Sequence, residues 1–255
     1  MLGRFKILQK LCVKRDITVA LDMQYNSRVV LKRYKNEEYY SSELQNLERI
    51  RNINPLHPNS YLVRHIEGCP EDLTIIFPYI RGRDMLDNLT WMRKYQHRNM
   101  SERESRDWMD KAFSCISALQ NRHLVHLDIK LENFVMTPHI GRKDDLTLID
   151  VQTLGSVRQG KYGKLSYNCG TYLYQSPETN LRRQYHINTD LWGLGLCGYI
   201  ICQGTHPFQR SDINYRNVQS FVYDNLEFMS DEYRARISSL LSADPKERTF
   251  VPFEK

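Results

Sequence analysis

The sequence of 255 residues lacks several features that would place it in a secreted or membrane class. Its six cysteines form no C-x-x-C pair and no dense framework, which favours reduced thiols over a disulfide scaffold. The longest uncharged apolar stretch, 191–202, has 12 residues, whereas a membrane-spanning helix needs about 20. Arg4 and Lys6 are not followed by an apolar segment, so no signal peptide is predicted. We therefore expect an intracellular protein, in the cytoplasm or nucleus, without a membrane span.

Internal repeats, low-complexity linkers and an extreme net charge are also missing. The net charge of +6 favours contact with phosphate or acidic segments but is too small for a nucleic-acid-binding tail. We therefore expect no direct nucleic-acid partner. A hydrophobic content of 41% allows a sizeable core, and the length allows one large domain or two lobes that share a cleft.

One stretch, residues 126–133 (HLDIKLEN), concentrates polar groups of different chemistry between an amphipathic run, 108–123, and an apolar segment, 134–136. Asp128 could accept a proton from a hydroxyl, Lys130 could stabilise a transferring phosphoryl group, and Asn133 could hold Mg²⁺. Taken alone, the octapeptide could also be a polar turn between a helix and a strand. The rest of the chain has to decide between these interpretations.

The stretch resembles the catalytic loop of eukaryotic-type protein kinases, and further motifs follow in that family's order. Residues 170–178 (GTYLYQSPE) resemble the end of the activation segment, and 190–195 (DLWGLG) resemble the buried helix whose aspartate braces the catalytic loop. Arg248 resembles the arginine that pairs with Glu178. The resemblance runs over nearly the whole chain, and a compact, divergent core of this kind also resembles kinases of large DNA viruses.

The resemblance implies an α+β, bilobal fold within a single kinase domain. A small β-rich N-terminal lobe would occupy residues 1–80, and a larger, mainly helical C-terminal lobe would occupy 83–255, with a hinge at about 77–82. The residue pattern is consistent with this fold. Short β-branched runs predict strands within 5–32 and at 74–80, and apolar residues at helical spacing predict a helix over 37–51.

By the same resemblance, the protein would bind ATP and Mg²⁺. Asp128 and Lys130 would be catalytic, and Asn133 and Asp150 would hold the metal. Lys32 would bind the α- and β-phosphates, and Glu43, or alternatively Glu48, would orient it. The remaining nucleotide-binding positions, with Phe77 as gatekeeper and the backbone of the hinge facing adenine, would be Val19, Val30, Phe77, Pro78, Ile80 and Val135.

The sequence also departs from the family pattern. The glycine-rich loop aligns with residues 11–19, but its three glycines are replaced by Cys12, Lys14 and Ile17, which should remove some backbone contacts to phosphate. Leu127 stands where most kinases have arginine, and D-V-Q at 150–152 replaces D-F-G.

These departures leave three functions open. The first is a serine/threonine protein kinase, which Lys130 and residues 132–133 favour over a tyrosine kinase. The second is a pseudokinase that acts as a binding or scaffold module, and the third is a small-molecule kinase. Residues 151–177 contain Arg158, Lys161 and Lys164 and no acidic residue. This charge predicts that a protein substrate would be acidic or already phosphorylated.

Overall fold

The computed structural model describes residues 3–13, 15–141, 143–166, 169–208 and 215–253. Within them the chain forms thirteen β-strands and seven α-helices. The strands are β1 (Phe5–Cys12), β2 (Ile17–Asp22), β3 (Ser27–Arg33), β4 (Ser60–Leu62), β5 (Glu67–Cys69), β6 (Thr74–Pro78), β7 (Arg83–Asp84), β8 (Leu124–Val125), β9 (Phe134–Thr137), β10 (Asp145–Leu148), β11 (Gly155–Ser156), β12 (Gly163–Lys164) and β13 (Gln184–Tyr185). The helices are α1 (Glu37–Ile50), α2 (Met85–Gln96), α3 (Glu102–Gln120), α4 (Pro177–Arg182), α5 (Thr189–Gln203), α6 (Val218–Asn225) and α7 (Asp231–Leu240).

The backbone falls into two compact units. The first, which is β-rich, comprises Met1–Asn52, Val63–Arg81 and Asp150–Gln152; the second, which is mainly helical, comprises Ile53–Leu62, Gly82–Ile149 and Thr153–Lys255. This division differs from the predicted boundary near residue 80 in two short segments. The segment 53–62 belongs to the second unit because β4 pairs in parallel with β10, with Ser60 opposite Leu146.

The first unit is built on a five-stranded antiparallel sheet in the order β1-β2-β3-β6-β5. Because side chains alternate between the two faces of a strand, residues directly opposite each other share a face. Ala20, Val29 and Ile76 form a buried cluster with Cys69 on one face. The neighbouring positions, including Lys32 of β3, therefore point to the other face.

Helix α1 begins at a well-formed cap, where the Asn36 side chain accepts a hydrogen bond of 3.0 Å from the Tyr39 backbone N–H. Its buried positions include Tyr40, Glu43, Leu47 and Ile50, which follow one another at intervals of three or four residues. That spacing is the signature of one helix face. It places a carboxylate, Glu43, among apolar side chains.

The second unit is organised around α5, of which every residue from Thr189 to Cys202 is buried. Close packing against backbone and side chains explains the glycines of this helix. A Cβ on Gly193 would lie 2.7 Å from the carbonyl oxygen of Ile129, and one on Gly198 would lie 2.6 Å from Ile237 Cδ1. The glycine at 193 therefore lets α5 approach the backbone of residues 126–133 directly.

The predicted pair of Arg248 and Glu178 is confirmed. The guanidinium donates from both Nη atoms to the two carboxylate oxygens, at 2.7 Å each, and both side chains are buried. Arg248 Nε also donates to the Ser242 carbonyl at 2.8 Å. A buried ion pair is stable only when its remaining polar groups are satisfied in this way, and here it fastens α4 to the C-terminal part of the unit.

Candidate active site

Lys32 is the centre of a charged cluster in the first unit. Its Nζ donates to Glu43 Oε2 at 2.6 Å and to Asp150 Oδ1 at 2.8 Å. All three side chains are largely buried. The structure therefore brings together the three residues that the sequence assigned to phosphate binding, lysine orientation and metal binding. The alternative lysine partner, Glu48, is exposed and pairs instead with Arg51 and His65.

Two further side chains complete what we call the lysine–carboxylate cluster, defined as Arg15, Lys32, Tyr34, Glu43 and Asp150. The Tyr34 hydroxyl donates to Glu43 Oε2 at 2.6 Å, and Arg15 Nη1 donates to Asp150 Oδ2 at 2.5 Å. The cluster thus contains two cations and two carboxylates, so its charges balance. No motif in the sequence predicted a role for either Tyr34 or Arg15.

The protonation of the cluster follows from burial and charge together. Burial lowers the pKa of Lys32 and is the largest single influence, but the Asp150 and Glu43 carboxylates outweigh it, and the pKa lies above its ordinary value. Burial raises the pKa of Glu43, against the opposing effect of the Lys32 ammonium. Lys32 is therefore a cation at neutral pH, as a ligand of phosphate must be.

Asp150 is fixed to the first unit through the neighbouring backbone as well. The Asn46 side chain, on α1, donates to the Val151 carbonyl at 3.0 Å. The backbone at Asp150 has a φ of +65°, whereas Gln152 is not among the residues with positive φ. No glycine is therefore needed at position 152 in this conformation, which accounts for the D-V-Q sequence.

Three of the predicted nucleotide-binding residues lie side by side in the sheet of the first unit. Val19 of β2 is opposite Val30 of β3, which in turn is opposite Phe77 of β6. These three side chains share a face with Lys32, two residues beyond Val30. They form an apolar row next to a cation, which suits a base and its phosphates.

The three other predicted positions lie in different environments. Pro78 ends β6 and is exposed, and Ile80 follows it half-buried. Pro78 has no N–H but keeps a carbonyl acceptor. Val135 lies in β9 of the second unit, where it is half-buried and opposite Thr147 of β10.

The second unit contains a separate cluster, the catalytic-loop cluster, defined as Asp128, Lys130, Asn133 and Thr171. Lys130 Nζ donates to Asp128 Oδ2 and to Thr171 Oγ1, both at 2.7 Å, and the Thr171 hydroxyl donates to Asp128 Oδ1 at 2.8 Å. Asn133 Nδ2 donates to the Asp128 carbonyl at 2.7 Å. Thr171 therefore contacts both charged residues of the loop. The carboxylate of Asp128 is held in one orientation by these donors.

The local sequence explains how these polar groups are held. Ile129, Leu131 and Phe134 are buried and alternate with the polar residues, so the loop is anchored in the core between its functional groups. Gly170 has a φ of +78°, and a Cβ there would lie 2.5 Å from the Leu127 carbonyl oxygen. Only glycine fits both conditions, and it lets Thr171 reach Asp128.

Asp190 supports the loop from α5, as predicted. Its carboxylate accepts the backbone N–H of His126 at 2.6 Å and that of Leu127 at 2.9 Å. Burial raises the pKa of Asp190, while His126 and the two N–H donors oppose that change. Leu127 has a φ of +67°, a conformation that costs about 1–2 kcal/mol for a residue with a Cβ. The two hydrogen bonds that Asp190 accepts offset that cost.

The predicted metal ligands supply the kind of donor that Mg²⁺ prefers, which is oxygen. Asp150 offers a carboxylate, and Asn133 offers its amide oxygen because its nitrogen is directed at Asp128. Among the described residues no group of three or more His, Cys, Asp and Glu side chains could hold a metal ion.

The Protein kinase domain family matches residues 16–252. The chain belongs to the protein kinase family. The match includes the lysine–carboxylate cluster, apart from Arg15, and the whole catalytic-loop cluster. The kinase fold that the sequence predicted, a β-sheet lobe followed by a mainly helical lobe, is thereby confirmed.

Curated relatives of the chain are protein kinases of greater length. It is 27% identical over 211 residues to the serine/threonine-protein kinase DCLK1 of Rattus norvegicus and to that of Mus musculus. That stretch is 82% of this chain, 44% of the rat protein and 25% of the mouse protein. A carbon catabolite-derepressing protein kinase of Secale cereale is 26% identical over 202 residues, 78% of this chain and 38% of that protein. The kinase chain thus spans less than half the length of these relatives.

A solved structure of the same fold is that of the Cydia pomonella granulovirus kinase PK-1. The two superpose with a TM-score of 0.75 over 97% of this chain and 90% of the viral one, at 22% sequence identity. At that identity the likeness is one of fold.

In this kinase the loop that replaces the glycine-rich loop is a turn between β1 and β2. Cys12 ends β1 and Ile17 begins β2, so two of the three replaced glycine positions are strand residues. The turn is closed by Asp16, which has a φ of +49° and pairs with Lys10 at 3.2 Å. Lys14, the third replaced position, lies outside the described residues.

Leu127, in place of the usual arginine, packs in an apolar cluster of the second unit. Its neighbours are Val125, Val157 and Tyr185, together with Leu165 and Ile187. The activation segment is also paired to the rest of the unit through β11 with β8 and β12 with β13. Apolar contacts and backbone pairing therefore hold this segment, where an arginine would need a phosphate partner.

Within the described residues no helix combines the length and the apolar character that are needed to cross a membrane. All six cysteines are free, and all but Cys12 are buried.

Proposed function

We propose that this chain is a single protein kinase domain that transfers the γ-phosphate of ATP to serine and threonine hydroxyls of proteins. The observation that carries the proposal is the orientation of the Asp128 carboxylate by Lys130 and Thr171, with both its oxygens engaged at 2.7–2.8 Å. Such a constrained carboxylate is suited to orient a hydroxyl and accept its proton. The serine/threonine relatives support the choice of hydroxyl.

The remaining residues would divide the reaction as follows. Lys32, held by Glu43, would bind the α- and β-phosphates, and the apolar row of Val19, Val30 and Phe77 would contact the base. Lys130 would stabilise charge on the transferring phosphoryl group. Asp150 and Asn133 would hold Mg²⁺, which neutralises charge on the phosphates when bound.

The contributions of Pro78, Ile80 and Val135 would be more limited. The backbone of Pro78 and Ile80 would supply polar atoms towards adenine, and Val135 would supply an apolar surface. These assignments rest on the positions of the three residues in the kinase pattern.

A second function, a pseudokinase that acts as a binding or scaffold module, has specific observations in its favour. The glycines that would approach phosphate are replaced, and Arg15 contacts the carboxylate that would bind metal. Against it, the catalytic-loop cluster keeps the base, the lysine and the metal ligand. Nucleotide binding by the wild-type protein without measurable phosphotransfer would distinguish this function from the first.

We further propose that the protein substrate is acidic or already phosphorylated. Arg158, Lys161 and Lys164 are exposed on the activation segment, and β12 pairs with β13 so that Lys164 lies opposite Gln184. The exposed Arg182 ends α4, just before β13 begins at Gln184, and is therefore close to the same strand pair. The resulting positive surface would attract acidic segments.

The free thiols of all six cysteines support an intracellular location, in the cytoplasm or nucleus.

Phosphotransfer from Mg-ATP to protein and peptide substrates tests the proposal. Asp128→Asn and Asp150→Asn should each abolish transfer while circular dichroism and the melting temperature show a folded protein. Asp231→Asn is the matched control, because that aspartate is exposed on α7. Equal transfer by the wild type and both site variants would refute the proposal, since it would point to a contaminating kinase.

The substrate arm of this experiment compares acidic and basic peptides of equal length. Acidic peptides should be the better substrates, and Lys164→Gln/Arg182→Gln should raise their KM, whereas the exposed control Lys94→Gln should not. A preference for basic peptides would refute the substrate class without touching the proposed activity.

A further inference from the structure

Arg15 reaches from the turn between β1 and β2 to a carboxylate 135 residues away in sequence. Its Nη1 lies 2.5 Å from Asp150 Oδ2. The Arg15 side chain is 49% exposed, whereas that of Asp150 is 11% exposed. The other carboxylate oxygen, Oδ1, accepts from Lys32 at 2.8 Å. Both oxygens of the predicted metal ligand are therefore engaged by cations of the chain itself.

A divalent cation would need the same carboxylate. Mg²⁺ binds carboxylate oxygens at about 2.0–2.1 Å. With Nη1 2.5 Å from Oδ2, the Arg15 guanidinium would compete with such an ion for the same oxygen. Two like charges on one carboxylate oxygen also repel each other. Because Lys32 is buried and held by Glu43 as well, the half-exposed Arg15 is the cation that can move away.

We propose that Arg15 is an internal counter-cation of Asp150, which a divalent metal ion must displace in order to bind. The inference rests on the proposed role of Asp150 as a metal ligand. It gives a function to a position in the altered loop. The glycines that let backbone N–H groups approach phosphate are replaced there, and a side chain from the same turn sets the metal affinity. Arg15 is thus a positioning residue for Asp150.

The test measures metal binding by the nucleotide-free protein. Mn²⁺, which takes the same oxygen ligands as Mg²⁺, is titrated alone, and the free ion is quantified by its electron paramagnetic resonance signal. Arg15→Gln should bind Mn²⁺ roughly two- to fivefold more tightly than the wild type, the range expected when a partly exposed ion pair is removed. Arg15→Lys, which keeps the charge but loses the guanidinium fork, should fall between the two.

Lys10→Gln is the matched control. It removes a cation of the same hairpin with the same exposed fraction of 49%, but one that pairs with Asp16. It should leave Mn²⁺ affinity unchanged. Melting temperatures of all variants identify any that fail to fold. If Arg15→Gln does not fold, the Mn²⁺ affinity of Arg15→Lys is compared with that of the wild type, and this comparison decides whether the inference holds.

Asp150→Asn separates failure of the inference from failure of the proposed metal role. If it removes Mn²⁺ binding while Arg15→Gln binds no more tightly than the wild type, the inference is wrong and the metal role stands. If Asp150→Asn binds Mn²⁺ as the wild type does, both are wrong. Because no turnover is measured, a pseudokinase would give the same support to the inference as an active kinase.

Discussion

The substitution Asp190→Asn tests the role of the buried carboxylate that supports the catalytic loop. The substitution changes little in volume, but it removes the charge and replaces one acceptor oxygen with an NH₂ group. One of the backbone N–H groups of His126 and Leu127, which now donate at 2.6 and 2.9 Å, would then face another donor. Asp128, the proposed base, follows these two residues directly.

The size of the effect follows from these two contacts. A hydrogen bond to a charged group contributes about 1.5–3 kcal/mol, and an unsatisfied buried donor costs about 1–3 kcal/mol. Part of this loss is regained because a buried carboxylate, whose pKa burial raises, no longer has to be desolvated. We expect a net loss of about 3 kcal/mol in the free energy of unfolding. Leu127 would also be released from its φ of +67°, and a shift of about 1 Å in Asp128 lowers kcat by about 100-fold.

Urea unfolding and phosphotransfer measured on the same samples check both numbers. Transfer is assayed at a temperature at which the variant is folded, so that loss of stability does not imitate loss of catalysis. Asp231→Asn, on the exposed surface of α7, should change neither quantity by a measurable amount. A change below about 1 kcal/mol together with unchanged kcat would show that Asp190 does not position the loop, and the reasoning would be refuted.

Two further predictions concern pH and regulation. Hydrogen bonds from Arg98 hold the pKa of Glu104 at about 2, below its ordinary value of 4.5; its stabilisation is therefore complete above pH 4.5 and is lost as the pH falls towards 2. Because the Glu104 side chain is 38% exposed, Glu104→Gln should cost only about 1 kcal/mol at pH 7. The difference measured by urea unfolding should be smaller at pH 3.5. The second prediction follows from the apolar cluster around Leu127: phosphatase treatment should leave phosphotransfer activity largely unchanged, measured before and after treatment and with mass spectrometry to verify dephosphorylation.

Each of these predictions has a contradicting result. A stability difference between Glu104→Gln and the wild type that stays constant from pH 7 to pH 3.5 would show that the charge of Glu104 is not its source. A large loss of activity on dephosphorylation, restored by rephosphorylating Ser156, Tyr162 or Ser166, would show that a phosphate does stabilise the activation segment. Tyr167, another candidate for modification in this segment, lies outside the described residues.

The sequence by itself determined the family, the fold class and the members of both clusters that carry the proposed chemistry. These residues sit in short motifs whose local pattern is sufficient, such as the alternation of Asp128 and Lys130 with buried Ile129 and Leu131. It left the choice between Glu43 and Glu48 open, and the structure decided it. Glu43, Leu47 and Ile50 recur at helical spacing on one face of α1, and Glu48 does not lie on that face.

Only the tertiary structure decided the contacts that long side chains make between segments far apart in sequence. The contacts of Arg15 with Asp150 and of Asn46 with the Val151 carbonyl leave no periodic trace in the sequence. The shorter-range contact of Tyr34 with Glu43 leaves none either. The pairing of β4 with β10, which places residues 53–62 in the second unit, is of the same kind. Hydrophobic periodicity reports which face of an element is buried, whereas such partners depend on where the whole chain brings each backbone.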